Sequence, residues 1–273
     1  MKFELPEFAQ LASKTPKADY CSPIEQDIEI VVLAHSSKPA VSAETLGMLD
    51  LPYRIYENEE WEWPEDHPEL KEDRSQRPML RGYALRQYRA WRGHQEICRS
   101  AKTEYTMVFE DDMSLEETTS REEVIKHING ARRFISEMGY DAVSFHAREQ
   151  TPPKSSITLY GREYVELTSE IQLGTGHQYF LKPVAKSFNG KYEDFRFAWH
   201  EGCLAYLIGP RGRQKWIDSP HDGMPCDLFL ANELRTIVMR NTIFHHDHRH
   251  GSLIANTGRI RRKLQDDGTP AAR

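Results

Sequence analysis

The stretch YTMVFEDDMSL, residues 105–115, decides the architecture. Five mostly apolar residues read as a buried strand and run straight into Glu110, Asp111 and Asp112. Adjacent carboxylates repel one another, so three at a strand end do not serve stability and point to a cation or a reaction that needs them there. In α/β folds, ligand sites lie beyond the carboxyl ends of strands. An acidic residue, any residue, then Asp in that position aims two carboxylates outward. Glu110 and Asp112 would suit a hard divalent cation, Mn2+ or Mg2+, which keeps other positions for waters and phosphate oxygens. The plain alternative for an isolated acidic triplet is a solvated turn.

On the N-terminal side, IEIVVLAHSS (28–37) is a β-branched run typical of a strand buried in a parallel sheet, ending at Ser36 and Ser37. PYRIYE (52–57) reads as a second strand. ENEEWEWPEDHPELKED (57–73) is an exposed acidic loop in which Trp61 and Trp63 should cover something. MLRGYALRQYRAWRGHQEICRS (79–100) has helical spacing of its apolar residues. On the other side, Ser120 with Glu123 forms a capping box for a helix to about Met138, closed by Gly139. DAVSFH, CLAYLIG and RTIVM read as strands, PRGRQKWI and PCDLFLANEL as helices, and SITLYG, EYVELT and HQYFLK as antiparallel pieces. Strands alternate with helices early and antiparallel pieces follow, which predicts one α/β domain with a mixed, mainly parallel central sheet and a smaller antiparallel portion. Residues 1–25 read as an irregular lead-in, 26–255 as the domain and 256–273 as a polar basic tail.

The 273 residues carry a net charge of −6, which argues against a protein whose main task is wrapping nucleic acid. No apolar run approaches the about 20 residues of a membrane span, and MKFELPEFAQ lacks a signal-peptide pattern. Cys21, Cys98, Cys203 and Cys226 are widely spaced without a CxxC, so neither a zinc knuckle nor a disulfide framework is expected. A cytoplasmic protein is the default reading.

LRGYALRQYRAWRGHQEICRSAKTEYTMVFEDDMSL resembles glycosyltransferase family 25, in which a Gly-x-Ala-Leu helix with a later Trp precedes an apolar strand ending in Glu-Asp-Asp. Gly82, Ala84, Leu85, Trp91 and Glu110–Asp112 carry the resemblance, and GCLAYLIGPRGRQKWID and MPCDLFLANEL extend it. The first strand lacks the Asn-Leu and Arg pattern usual there. The resemblance implies a Rossmann-like glycosyltransferase A-type domain. It also implies a nucleotide-sugar donor (a UDP-sugar foremost), Mn2+ or Mg2+, and transfer with inversion. The acceptor would be a glycan, a protein side chain or a hydroxylated nucleic-acid base.

Inversion needs a carboxylate base opposite the leaving group. Asp227, just before an apolar helix, is the first candidate, although Asp there is commonly only an N-cap. Glu201, beside His200, is the rival. Ala34, His35 and Ser36 at the end of the first strand, with Arg81 and Asp111, are the candidate donor contacts. Further helix arginines such as Arg89 and Arg92 are either a solvated face or phosphate grips. FHHDHRHGS (244–252) places His246, His248 and His250 on one face if extended, with His245 on the other. Enzymes of the A-type often complete the metal site with a C-terminal His, which makes His246 and His248 candidates beside Glu110 and Asp112. A non-catalytic or hydrolytic metal protein built on the histidine segment is the alternative.

Overall fold

The computed structural model describes residues 23–35, 40–59, 61, 78–145, 157–166, 203–219, 226–239 and 242–247. The chain opens with β1 (Ile28–His35), α1 (Val41–Met48) and β2 (Arg54–Asn58). The long helix α2 (Pro78–Arg99), β3 (Tyr105–Glu110) and the short β4 (Met113–Leu115) follow. Then come α3 (Arg121–Met138), β5 (Ala142–Ser144), β6 (Ile157–Leu159) and β7 (Arg162–Glu166). β8 (Ala205–Ile208), α4 (Pro210–Asp218), α5 (Cys226–Asn232), β9 (Thr236–Met239) and β10 (Phe244–His246) complete the described elements.

The eight-stranded sheet has the order β2-β1-β3-β8-β5-β9-β7-β6. β1 is parallel to β2 and β3, and β5 is parallel to β9. β8 lies antiparallel between β3 and β5, and β7 is antiparallel to β9 and β6. A separate antiparallel ribbon joins β4 to β10. The protein is thus a mixed α/β fold with a smaller antiparallel portion. No helix among the described residues is long and apolar enough to cross a membrane.

Two cores sandwich the sheet. Alternation along β3 sends Tyr105, Met107 and Phe109 to one face, with Val124, Ile128 and Phe134 of α3. Val108 goes to the other face, with Trp91, Tyr206, Trp216 and Phe229. There Trp91 meets Phe229 edge-on at 4.7 Å between ring centroids, and Tyr206 stacks on Trp216. α3 starts and stops as its sequence predicts: Ser120 accepts from the Glu123 N–H at 3.1 Å, and Gly139 takes the left-handed φ of 68°. α4 lies so near the sheet that a Cβ at Gly212 would stand 2.6 Å from the Asp141 carbonyl oxygen.

α1 is not legible in VSAETLGM. Its buried face includes Ser42 and Thr45 as well as Val41, Ala43 and Leu46, so it shows no apolar stripe. β4 and β10 are three residues each, too short to carry a period.

Asp141 ties this half of the fold together. Its buried carboxylate accepts from Arg211, from Lys215 Nζ at 2.8 Å and from the Arg235 N–H at 2.8 Å, joining α4 to the start of β9. Burial works against its charge, but Lys215, the Arg235 amide and Arg211 outweigh it and hold the pKa below the ordinary 3.8. A depressed carboxylate stabilises the fold above the unfolded-state pKa and loses that contribution as pH falls through the folded one. Both cations are partly exposed and can rehydrate, so Asp141→Asn should cost about 2 kcal/mol near neutrality, below the roughly 3–5 kcal/mol for breaking a fully buried pair. Urea unfolding at neutral pH and below pH 3.8 checks this: the gap between wild type and variant should narrow in acid.

Candidate functional site

β3 delivers Glu110 at its last position, and Asp111 and Asp112 form the turn into β4. Glu110 follows Val108 onto the α2 side of the sheet, where its Oε1 lies 3.5 Å from Nε2 of His94. Asp111 Oδ2 accepts the His35 N–H at 3.2 Å, fastening the end of β3 to the end of β1. Asp112 Oδ2 lies 3.4 Å from His246 Nδ1, and its carbonyl accepts the Asp247 N–H at 2.7 Å. The β4–β10 ribbon makes this meeting by pairing Met113 with His246. Three like charges therefore face three different partners.

The backbone of the turn is held by Ser42 near the start of α1. Its hydroxyl donates to the Glu110 carbonyl and accepts the Met113 N–H at 3.0 Å. Its own N–H donates to the Asp111 carbonyl at 3.2 Å. One fully buried serine thus fixes both ends of the acidic turn.

Beside Glu110 lies a second constellation that sequence reading missed. His94 from α2, Cys203 just before β8 and Cys226 at the start of α5 present donor atoms within 4.8 Å of one another. The residues come from three distant segments, and without a CxxC no local spacing announces them. Tyr206 shares a hydrogen bond with His94 Nδ1 at 2.8 Å and fixes the ring. Burial opposes a charge on His94, yet Cys226 and Glu110 beside it raise its pKa to about 9. Cys203 lowers the Cys226 thiol, against burial and with help from His94. Burial pushes Cys203 itself well above the usual thiol value, with Cys226, Glu110 and Asp227 adding to the effect.

Asp227 sits inside the first turn of α5 rather than at its cap, and its charge bears on Cys203. Glu110 and Asp227 thus border the same cluster. His35 is half-buried at the β1 end, while the Ala34 side chain is packed in the α3-side core. Arg81 lies on α2, but its side chain falls outside the described residues, as do Ser36, Glu201, His248, His200, His250 and Trp63. Trp61 covers α2: the Arg92 guanidinium lies 4.6 Å from its ring centre, and Arg89 Nε donates to its carbonyl at 2.9 Å.

No protein-family model and no curated protein matches the chain. Among solved structures, it is similar to A197 from STIV, at 11% identity and a TM-score of 0.35, covering 80% of this chain and 85% of that one. It is also similar to a glycosyltransferase involved in glycosylation of the major capsid of PBCV-1, at 12% identity and 0.35, covering 86% and 99%. A third is HddC from Yersinia pseudotuberculosis, at 10% and 0.33, covering 81% and 72%. Similarities this distant carry no argument about reaction or substrate.

Ser42→Ala tests the clamp. Losing a buried hydroxyl that serves two backbone groups should cost about 1–3 kcal/mol. Hydrogen exchange followed by mass spectrometry should show faster exchange in peptides spanning 110–115 while α3 stays protected. Uniform loss of protection would assign Ser42 to general packing instead.

Proposed function

We propose that the protein is a glycosyltransferase moving a sugar from a nucleotide-diphosphate sugar, a UDP-sugar foremost, to an acceptor hydroxyl with inversion. The observation that carries this reading is the approach of Asp112 to His246, 3.4 Å apart, beyond the carboxyl end of β3. A carboxylate and an imidazole converging at a strand end, with backbone fixed on both sides, suit Mn2+ and, less well because of the nitrogen, Mg2+. The family 25 resemblance supports the same assignment, with Gly82, Ala84, Leu85 and Trp91 on α2 and the acidic triplet after β3.

Asp112 and His246 would hold the cation, with Glu110 and His248 as further candidates. When bound, the cation neutralises charge growing on a diphosphate leaving group. His35 and Asp111, joined at the ends of β1 and β3, would border the nucleotide. Asp227 would take the proton from the acceptor hydroxyl, with Glu201 as the rival base. The acceptor is a glycan, a protein side chain or a hydroxylated nucleic-acid base, and cytoplasmic action fits the sequence reading.

A nucleotide diphosphate together with Mn2+ should raise the melting temperature by mass action. The second reading, a non-catalytic or hydrolytic metal protein built on the histidine segment, expects no such shift. Asp112→Ala should abolish both this shift and transfer while leaving the fold intact, because removing one of three clustered like charges relieves repulsion. Unfolding of the variant would make the triplet structural.

Asp227→Asn keeps the shape and removes the proton-accepting charge. Turnover at saturating donor should fall by roughly 10²–10⁴, donor binding should barely change, and the product of the native protein should be inverted by NMR. Near-normal turnover would move the base to Glu201, and a retained anomeric configuration would overturn the single-displacement scheme.

A further inference from the structure

The fold brings His94, Cys203 and Cys226 together with no partner in the glycosyl-transfer reading that explains them. Nε2 of His94 is fully buried, and Glu110 Oε1 stands 3.5 Å from it without the geometry of a hydrogen bond. A buried polar atom left so is costly unless something fills the space it faces. Three of its neighbours are donors suited to a soft or borderline cation: two cysteine sulfurs and the Glu110 carboxylate.

We infer that His94 Nε2, Cys203 Sγ and Cys226 Sγ, with Glu110 Oε1 in the fourth position, form a zinc site. Tetrahedral zinc, with bonds of about 2.0 Å to nitrogen or oxygen and about 2.3 Å to sulfur, sets neighbouring ligands about 3.3–3.8 Å apart. The Glu110–His94 separation of 3.5 Å already falls in that range. The donors of His94, Cys203 and Cys226 lie within 4.8 Å of one another, so side-chain rotation must bring the sulfurs in to zinc distance. Tyr206 on Nδ1 supplies the outer contact that orients a ligating imidazole. Both cysteines would bind as thiolates and His94 as neutral imidazole, and the protons these groups hold beforehand pass to solvent.

Such a zinc would clasp α2, the start of β8 and the first turn of α5 together. It would fix Asp227, the residue after Cys226, with respect to β3. It would also occupy Glu110, leaving Asp112 and His246 to the hard cation, so one acidic turn would face two metals of opposite preference. The zinc site rests on its own ligands, whereas the role of Asp227 within it rests on the glycosyltransferase reading.

The test uses the full chain, reduced, stripped of metal and titrated with Co2+. One equivalent should produce tetrahedral d–d bands and a thiolate-to-cobalt charge-transfer band, both removed by adding Zn2+. Cys226→Ser should lower the charge-transfer intensity by about half, since one of two thiolates is lost. Tyr206→Phe should keep the spectrum but weaken zinc binding about 10–100-fold. Asp112→Ala should leave the spectrum unchanged, which separates this site from the hard-cation site. An absent thiolate band after reduction, or the same band in a Cys203→Ser/Cys226→Ser double variant, would overturn the proposal. So would a Cys203–Cys226 disulfide that, once reduced, takes up no metal.

Discussion

Glu110, Asp111 and Asp112 stand side by side at the end of a strand whose own body is buried, and their mutual repulsion has to be met by surrounding elements. The fold meets it by separation. His94 of α2 faces the first, the backbone of β1 takes the second, and His246 of β10 meets the third. Each partner belongs to a different element, so the arrangement of α2, β1 and the small ribbon around β3 is linked to a single electrostatic problem. Ser42 completes it by holding the turn that splays the three apart.

The same separation explains how the site divides its chemistry. On the α2 side, the surroundings are aromatic and sulfur-rich, with Trp91, Tyr206, Trp216 and two cysteines around His94. On the ribbon side, Asp112 and His246 both keep partial exposure, as a site receiving water and phosphate oxygens requires. Neighbouring residues of one turn, both partly exposed, thus meet sulfur and aromatic rings on one side of the sheet and a carboxylate–imidazole pair on the other.

The sheet strands and the helices on its faces were legible where periodicity had room to show. β1, β3 and α3 follow their apolar patterns, as does α2 at Tyr88, Trp91 and Ile97, and the Ser120–Glu123 and Gly139 signals fall where α3 starts and stops. α1 was not legible because its buried face includes Ser42 and Thr45, one of which works as a hydrogen-bonding clamp rather than as core. The acidic turn stood out because repulsion makes such a run conspicuous, and His246 stood out as one of four nearby histidines. His94, Cys203 and Cys226 were silent. Each reads as an ordinary buried residue, and only the tertiary crossing of α2, β8 and α5 makes them a group. Asp227 resembled a helix cap because its own helix begins at Cys226, two residues before the apolar run that starts at Leu228.

β8 sits between β3 and β5, pairing with both, although it follows β5 by a long stretch of chain. A ribosome extruding this protein completes β1, β2, β3 and α3 well before the strand that must cover the outer edge of β3. That edge, along Thr106–Phe109, offers unpaired amides and carbonyls to any other strand in reach. About 60 further residues must be added after β5, which at cellular elongation rates takes roughly 3–12 s. The hazard of misassembly is thus set by the speed of translation through that interval rather than by the stability of the finished sheet.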